Sequence, residues 1–478
     1  MSESIYKEKE QLTFVQTIKS LPSQFWILNV LQMLEKLAYW SVLMQMSVYI
    51  AQKDIASGLN WEQSLKGIIF FFWALVQNLT PFFLGWMPDK YGRKKLLLIS
   101  LTIIVISYVL LGTQTTFVPF LFAILLLGFG SGLFKPALQG AISSTLSPRT
   151  SPTGWGIYFM LMNLALIAAP PISKFLKDIS WNMVFYGSAA IMLLNLLATV
   201  IIKPNKQEKK NPDWLQSIIF SLKTFSKPRV YIFILAMSGF AIIYMQFYET
   251  FQNFIIDWPD TSAIVKSLGL TGFITSETGR GVMISYEWLY TINSILITLF
   301  IVAVSRLTGR ISQVKAIILG VILATAGITI AGASLNGAFL IAGFIIYTFG
   351  EMIVNPKFTD YLSTIAPKNE KSMYLGYLNL SMAIGLGIGS LLGGYLYGNF
   401  GEKSSLALKF LQKQGVNVQN ISPSAAFAEL ATKLNLTHTQ ATKLLWDTYH
   451  PWIIWLPFIA IAIISIAILF IYIKKYPE

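Results

Sequence analysis

Gln32-Met-Leu-Glu35-Lys36-Leu-Ala-Tyr39-Trp40 lies within an apolar stretch that runs from Gln24 to Gln52. A charged side chain costs about 2.5–3.5 kcal/mol at the centre of a bilayer, so a membrane-crossing helix carries Glu35 and Lys36 only where they face protein or water. The spacing i, i+3, i+4, i+7, i+8 places the five numbered side chains on one helix face. The stretch therefore predicts a transmembrane helix whose polar face borders a polar cavity.

Apolar segments of similar length recur along the whole chain. Of the 478 residues, 54% are hydrophobic and 12% are charged, and the mean hydropathy is +0.60. Apolar runs of about 20 residues are long enough to cross a hydrocarbon core. Twelve such spans are predicted, near residues 24–51, 64–87, 95–113, 116–145, 153–178, 181–203, 229–256, 285–308, 312–333, 336–365, 371–399 and 450–475. The expected fold class is an all-α polytopic membrane protein.

The net charge of +14 does not indicate nucleic-acid binding, because the basic residues follow the predicted membrane topology. Lys and Arg are concentrated on the side of the two termini, for example in the segments 88–95 and 203–229. The positive-inside rule therefore places both termini in the cytoplasm. The expected location of the protein is a bacterial inner membrane. The chain has no cysteine, which excludes disulfide and thiol chemistry.

The chain divides into two halves. Residues 1–203 predict a bundle of six helices, 204–228 a Lys-rich cytoplasmic linker with an amphipathic helix at 214–222, and 229–478 a second bundle with an extracytoplasmic insertion at 400–449. Span four contains Phe129-Gly-Ser-Gly-Leu-Phe-Lys135-Pro136, and span ten repeats that frame as Phe349-Gly-Glu351-Met-Ile-Val-Asn355-Pro356. Duplicated halves around a central site are typical of secondary transporters.

Two sets of motifs resemble known families. Gly85-Trp-Met-Pro-Asp89-Lys-Tyr-Gly92-Arg93-Lys94, after span two, resembles the signature loop of the major facilitator superfamily. Within that superfamily the chain is similar to the proton-dependent oligopeptide transporter family. The matching segments are Gln32 to Trp40, Gly130-Ser-Gly132-Leu-Phe-Lys135-Pro136, Tyr158-Phe159-Met-Leu-Met162-Asn163, Trp288-Leu-Tyr-Thr-Ile-Asn293 and Gly350-Glu351 to Pro356. The resemblance implies two pseudo-symmetric six-helix bundles that move di- or tripeptides by alternating access.

Several positions depart from the family pattern. Gln32 stands where the first motif has Glu, Lys36 where it has Arg, Phe159 where the fifth-span motif has Tyr, and Met245 where the seventh span has an acid. Lys is a point charge rather than a bidentate fork, so its grip on a carboxylate is weaker than that of Arg. The salt bridge that the family pattern implies between span seven and Lys135 lacks its acid.

Candidate site residues come from both halves. Lys36 and Lys135 are cations suited to a carboxylate, and Glu351 is suited to an ammonium group. With them, the expected substrate site contains Tyr39, Trp40, Asn163, Trp288 and Asn293. Glu35 and Glu351 are the expected proton-coupling groups, because a carboxylate that alternates between a proton and a salt bridge changes which conformation is stable. Asp89 and Arg93, at i, i+4, are expected to pair at a cytoplasmic gate.

Purely structural roles are the alternative interpretation of the same residues. Glu35 and Lys36 can neutralise each other, Asn163 and Asn293 can serve as interhelical hydrogen-bond partners, and the aromatic residues can be packing or interface anchors. Glu249, near the outer end of span seven, is expected to be solvated. The 400–449 segment has Ser and Thr ahead of apolar periodicity, which predicts two or three short capped helices. It is interpreted as a passive insertion, a cap over the outer mouth or a platform for a protein.

The leading functional hypothesis is proton-coupled symport of di- or tripeptides, or of related small zwitterions. A second is proton-driven efflux of a drug-like or metabolite substrate, and a third is a receptor or adaptor that uses the 400–449 segment. The sequence shows no metal cluster, Walker loop, dinucleotide fingerprint or nucleophilic triad. We therefore expect no enzymatic activity and no cofactor, with the proton gradient as energy source. The expected partners are a small substrate, protons and the lipid bilayer, and the expected state is a monomer.

Overall fold

A computed structural model describes residues 14–53, 58–147, 149–202, 219, 223–367 and 371–477. Its architecture is built from long helices joined mostly by short loops. In chain order these are α1 (Ser23–Ala51), α2 (Gln63–Leu84), α3 (Arg93–Thr113), α4 (Phe117–Ser143), α5 (Ser151–Ile179), α6 (Trp181–Ile201), α7 (Pro228–Tyr248), α8 (Tyr286–Thr308), α9 (Gln313–Gly332), α10 (Gly337–Ile365), α11 (Lys371–Leu396) and α12 (Leu456–Lys475). The predicted amphipathic helix at 214–222 lies almost entirely outside the described residues.

Eleven of these helices, α2 to α12, are long and apolar enough to cross a membrane within the described part of the chain. Helix α1 is less apolar because its 29 residues include Asn29, Gln32, Glu35, Lys36 and Gln45. At about 1.5 Å per residue it is still long enough to span a bilayer. The all-α polytopic fold is thus confirmed. A long helix lies at each of the twelve predicted spans, and α1 is the one whose polar residues make it less apolar than the other eleven.

The helices pack as two groups. In the first group α1 packs on α5 and α6, α2 on α4, and α3 on α4 and α6; in the second α9 packs on α10 and α12, and α7 on α11 and α12. The groups meet where α2 packs along α11 and α5 along α8. Gly67 on α2 permits the first of these contacts, because a Cβ atom there would lie 2.5 Å from the carbonyl oxygen of Ser390 on α11.

Twelve long helices run alternately up and down, so the start of α1 at Ser23 and the end of α12 at Lys475 lie on one face of the bundle. We call this face the terminal side and the opposite face the cap side. The cap side carries two insertions. The first holds helices Thr250–Asp257 and Ser262–Leu268 and an antiparallel hairpin of β1 (Thr275–Thr278) and β2 (Gly281–Ile284). The second, the predicted 400–449 insertion, forms three helices: Lys403–Lys413, Ala426–Lys433 and His438–Tyr449.

The predicted capping of the second insertion holds for its last helix. Thr437 Oγ1 accepts a hydrogen bond from the backbone N–H of Gln440, and Gln440 Oε1 accepts one from the backbone N–H of Thr437, so the pair forms a capping box. The N-cap positions of the other two helices are Glu402 and Ala425, and neither makes a side-chain capping bond. Burial of Leu406, Leu411, Leu430 and Leu445 holds the three helices together.

Candidate functional site

A cavity of about 390 Å³ lies between the two helix groups, toward the terminal side. Its walls come mainly from α1, α2, α4 and α5, and Thr359 on α10 and Asn379 on α11 close it from the second half. Its chemically active lining residues are Gln32, Glu35, Lys36, Gln77, Lys135, Gln139 and Tyr158. The polar cavity predicted beside the face of α1 is therefore present.

The polar face of α1 forms one side of this cavity. Lys36 Nζ lies 3.0 Å from a carboxylate oxygen of Glu35, and Gln32 Nε2 donates to the same carboxylate at 3.4 Å. The Lys36 ammonium also lies 5.2 Å from the centre of the Tyr39 ring, within range of a cation–π contact. Tyr39 in turn exchanges hydrogen bonds with Gln77 of α2. The α1 residues are thus held in a fixed polar array before any substrate enters.

Lys135 is the second cation of the cavity, and it is exposed to the open space. Its Nζ lies 3.5 Å from Oδ1 of Asn379, a contact from α4 of the first half to α11 of the second. Among the described residues no carboxylate lies within 4 Å of Lys135, and Met245, where the family pattern has an acid, is buried and apolar. Lys135 is therefore available to an anionic group of a ligand.

Glu351 does not line this cavity. It is buried on α10, where Tyr248 Oη donates to it at 3.2 Å and Asn293 Nδ2 at 3.3 Å. Asn293 also donates to Thr348 Oγ1 at 2.8 Å. The structure thus brings the predicted residues Asn293 and Glu351 together in the second half, and it separates them from the cations of the first half.

Trp40 lies between these two groups of residues. Its ring is 5.2 Å from that of Tyr248, the hydroxyl donor to Glu351. Trp40 also lines a small closed space with Asn293 and Tyr290. Trp40, a predicted site residue, therefore connects the polar face of α1 with the residues around Glu351.

Two predicted binding residues lie elsewhere. Asn163 is partly buried on α5 and is not among the residues that line the cavity. Its neighbour Met162 lines it instead. Trp288 stands at the cap-side start of α8, where its Nε1 donates to the carbonyl oxygen of Phe273 at 3.0 Å and its ring packs against that of Phe273. In this conformation Trp288 anchors the hairpin insertion rather than the cavity.

The predicted gate residues do pair. Arg93 Nη2 lies 3.5 Å from Oδ1 of Asp89, one turn away at the start of α3. The guanidinium also packs against Gly140 of α4, where a Cβ atom would lie 3.1 Å from Arg93 Nε. This ion pair therefore ties the loop after α2 to the terminal-side end of α4.

A polar network across the cap side was missing from the sequence interpretation. Lys66 on α2 is fully buried and donates to Ser47 Oγ of α1 at 3.2 Å and to Asn253 Oδ1 of the second half at 3.0 Å. Glu249 is also fully buried, with Lys66 as its cationic neighbour. The expectation that Glu249 is solvated was wrong, because helix Thr250–Asp257 continues α7 and packs its first turn against α1 and α11.

Further contacts between the halves lie on the same side. Lys177 at the end of α5 forms an ion pair with Glu287 of α8, and Gln45 of α1 donates to the same carboxylate at 3.1 Å. Gln52 of α1 donates to Asp257 at 2.8 Å, and Tyr397 donates to the other oxygen of Asp257. These contacts close the cap side. The main cavity lies on the other side, between the terminal-side ends of the helices that line it.

The fold and site define a multi-pass helical membrane protein with two facing six-helix bundles and a charged cavity between them. The family model of the Major Facilitator Superfamily matches residues 36–280 and 277–477. The chain therefore belongs to the major facilitator superfamily, a family of transporters.

Relatives of the chain carry names that imply different activities. The chain is 22% identical to "Uncharacterized MFS-type transporter YttB" of Bacillus subtilis, covering 67% of this chain and 76% of the relative. It is 24% identical to "Quinolone resistance protein NorA" of Staphylococcus aureus, covering 69% and 80%. It is 20% identical to "Na(+), Li(+), K(+)/H(+) antiporter" of Planococcus maritimus, covering 73% and 83%.

Solved structures with similar folds include two transporters. One is a POT family transporter in complex with 5-aminolevulinic acid, with a TM-score of 0.63, 17% identity, and coverage of 91% of this chain and all of that one. Another is the nucleoside transporter NupG, with a TM-score of 0.68, 15% identity, and coverage of 96% and 100%. At these identities the likeness shows the fold.

Proposed function

We propose that this protein is a secondary active transporter that carries di- or tripeptides, or related small zwitterions, together with protons. The observation that carries the proposal is the cavity between the halves, which presents Lys36, Lys135 and Glu35 to one space of about 390 Å³. Intramembrane charges are costly, and they mark substrate or proton pathways where they occur. The named POT structure, with a small zwitterionic ligand, supports the same class of substrate.

Lys135 is proposed to hold the substrate carboxylate. Its ammonium is exposed to the cavity and donates to a neutral amide, that of Asn379, so a carboxylate can replace or join that contact. Because Asn379 belongs to the second half, a substrate carboxylate that joins this contact touches both halves. Such a contact makes the bound state sensitive to how the halves are placed.

Glu35 is proposed to carry the coupled proton on the first half. In the structure it is engaged by Lys36 and Gln32. Protonation of Glu35 removes the charge that holds Lys36, and the freed ammonium can turn to the substrate carboxylate. Proton uptake and substrate binding then favour one another, which is the linkage that a symporter needs.

Glu351 is proposed to act on the second half. Its neighbours Tyr248 and Asn293 are both hydrogen-bond donors, so the site is built for an ionised carboxylate or for the acceptor oxygens of a protonated one. In a conformation in which the cap side opens, Trp40 separates from Tyr248 and Glu351 becomes reachable from the cavity. There it meets the substrate ammonium or exchanges its proton.

Uptake of labelled dialanine into liposomes that contain the purified protein tests this function. With an inward proton gradient we expect accumulation that collapses with a protonophore and is suppressed by an excess of mixed dipeptides. Empty liposomes and liposomes without a gradient are the controls. Absence of gradient-dependent uptake by folded protein would refute peptide symport.

Proton-driven efflux of an organic substrate is the second candidate. Two curated relatives carry names of that kind, a quinolone resistance protein and a cation/proton antiporter. Met245 also removes the acid that the peptide-transporter pattern pairs with Lys135, so the ligand of Lys135 can differ from a peptide. The direction of proton flux distinguishes the candidates: substrate added outside alkalinises the medium in symport, whereas antiport of substrate into the vesicle acidifies it.

A further inference from the structure

A second cavity, of about 480 Å³, lies on the cap side between the two insertions. Residues of helix Thr250–Asp257, the β1–β2 hairpin, the start of α8 and the second insertion line it, together with Lys177 at the end of α5. Its volume is within the range of about 300–1,000 Å³ typical of small-molecule sites. We call it the cap cavity, and it shares no lining residue with the central cavity between the halves.

The charged groups of the cap cavity are engaged by the protein or by solvent. Lys177 forms the ion pair with Glu287. Arg280 donates to three backbone carbonyl oxygens, and Lys403 donates to one at 3.3 Å. The acid in the lining, Glu277, is exposed to solvent. A ligand with a charge of its own would compete with these contacts, so the cavity favours an uncharged occupant.

Most of the remaining lining is apolar, and both insertions contribute to it. The apolar side chains are those of Ile255, Ile256, Met283, Ile284, Phe427 and Ala428. The Phe427 ring is itself held by an edge-on contact with the ring of His438, whose centre lies 5.3 Å away. Because burial of apolar area is favourable by about 25 cal/mol per Å², this wall suits a ligand with an apolar body.

Ser285 supplies an independent sign of a ligand. It lines the cap cavity, it is 3% exposed, and within the described residues its Oγ has no hydrogen-bond partner. A buried hydroxyl without a partner costs about 1–3 kcal/mol. Residues at an N-cap position usually use such a hydroxyl for the helix backbone, but Ser285 precedes α8 without making that bond. A ligand group that hydrogen-bonds to Ser285 would remove this cost.

The cap cavity also adjoins the contacts that close the cap side. Two of its lining residues take part in them: Lys177 pairs with Glu287, and the Tyr286 hydroxyl donates to Oε1 of Gln45 on α1. Opening of the cap side separates α5 from α8 and moves Lys177 away from the other lining residues. The complete cavity therefore exists in the closed conformation.

We propose that the cap cavity binds a small neutral amphiphile, and that its occupation holds the cap side closed. The apolar body of the ligand packs against Phe427 and Ile284, and its uncharged polar group forms a hydrogen bond with Ser285. A ligand that binds the closed conformation better than the open one lowers the population of the open one. The proposal does not depend on peptide transport, because its tests use neither a peptide nor a proton gradient.

Three probes separate neutral from charged ligands. The alcohol 4-phenyl-1-butanol, the anion 4-phenylbutyrate and the cation 4-phenylbutylamine share one apolar body and differ in their polar end. Binding to the full chain in lipid nanodiscs is measured by calorimetry, with empty nanodiscs as the blank for partition into lipid. We expect saturable binding of the alcohol and binding of both ions that is about tenfold weaker or more, because a charge is costly to bury without a partner. No saturable binding of the alcohol, or an ion that binds as tightly, would overturn the proposal.

Variants locate the site. Ser285→Ala removes the unpaired hydroxyl, so it should keep or raise the Tm and still weaken binding of the alcohol about threefold to tenfold, a combination that a purely structural role would not produce. Phe427→Ala should weaken binding about tenfold or more, because it removes part of the apolar wall. Lys433→Met, an exposed change on the same insertion, is the control and should leave binding unchanged. Parent-level binding in both wall variants would contradict the site.

A chemical measurement covers the case in which a wall variant does not fold. The chain has no cysteine, so Ser424→Cys introduces a single thiol in the wall of the cap cavity. The alcohol should slow its reaction with a maleimide, and it should not slow the reaction of Ser267→Cys, which is exposed outside the cavity. Equal rates with and without the alcohol at Ser424→Cys would contradict occupancy of the cap cavity.

The link to closure is measured with a thiol on α1. Met44 is buried there, so Met44→Cys reacts with a membrane-impermeant thiol reagent when the cap side opens. At about ten times its Kd, the alcohol should slow this reaction about tenfold if it binds the closed conformation alone. Ser267→Cys is again the control and should react at an unchanged rate. Labelling of Met44→Cys that saturating alcohol does not slow would refute the link between occupation and closure.

Discussion

The ammonium of Lys177 on α5 pairs with the fully buried carboxylate of Glu287 on α8, and this pair joins the two halves of the protein on the cap side. Gln45 of α1 donates to the same carboxylate, so three helices meet at Glu287. Alternating access requires this side to open, and opening must separate α5 from α8. The pair is therefore a direct measure of how firmly the cap side is closed.

Glu287→Gln should open the cap side. Loss of one partner from a buried ion pair costs about 3–5 kcal/mol. Here the loss destabilises the conformation in which the cap side is closed. Met44, buried on α1 behind this network, reports the opening as Met44→Cys. We expect a membrane-impermeant thiol reagent to label it at least about tenfold faster in the Glu287→Gln background.

Asp178→Asn is the matched control for that measurement. Asp178 pairs with Lys174 one turn away on the same helix, so its loss leaves the contacts between the halves intact. Labelling should stay at the parent rate. Unchanged labelling in Glu287→Gln would show that the Lys177 pair does not hold the cap side closed.

Lys135→Ala should abolish gradient-driven uptake. The substitution removes the exposed cation of the central cavity, and a substrate carboxylate then loses a charge-assisted hydrogen bond. Lys315→Ala, an exposed change on α9, is the control for expression and loss of one positive charge. Uptake by Lys135→Ala at the parent level would remove Lys135 from the substrate site, and with it the proposed mode of recognition.

Glu351→Gln should abolish proton-driven accumulation of substrate and leave substrate exchange across the membrane intact. The amide keeps an oxygen that accepts from Tyr248 and Asn293, but it cannot be ionised. Driven accumulation should fall to the level seen without a gradient, while exchange of internal for external substrate continues. Loss of both processes would instead assign Glu351 a structural role, and loss of neither would exclude it from proton coupling.

Gly67→Ala should destabilise the contact between α2 and α11. Its Cβ atom would lie 2.5 Å from the backbone oxygen of Ser390, and a backbone atom cannot turn aside as a side chain does. Overpacking of this kind costs about 1–3 kcal/mol, so the Tm should fall by several degrees. Gly156→Ala on α5 meets nothing within 4 Å and should not lower the Tm. Similar Tm values for the two variants would contradict tight packing at Gly67.

How far the sequence predicts the structure depends on the range of the interaction. The polar face of α1 follows from helical spacing alone, and Glu35, Lys36 and Tyr39 lie where that spacing puts them. The same holds for Asp89 and Arg93, one turn apart. The positions of Glu351 and Lys135 could not be derived, because their separation depends on how far the two halves are tilted, and no local pattern encodes that tilt.

Glu249 and Ser285 show the other limit of sequence interpretation. Glu249 was assigned to solvent because it stands near the end of a predicted span, yet the chain continues as helix Thr250–Asp257 and packs against α1. The signal that could have corrected this is Lys66, a second charge within a predicted span on the same side. Ser285 carries no such signal: its buried Oγ has no hydrogen-bond partner in the part of the chain that the structure describes, and this is visible only when its surroundings are known.

Lys66 and Glu249 should show strong coupling in a double-mutant cycle. Both side chains are fully buried at the junction of the two halves, so Lys66→Met leaves a buried anion and Glu249→Gln leaves a buried cation. Each single variant should lower the Tm, because it leaves the buried group of the other residue without its oppositely charged neighbour. The double variant Lys66→Met/Glu249→Gln has no net charge to bury and should recover much of that loss, with a coupling energy of about 0.5–3 kcal/mol or more. Additive losses of Tm in the double variant would show that Lys66 is held by Ser47 and Asn253 alone, and that Glu249 is neutralised by some other group.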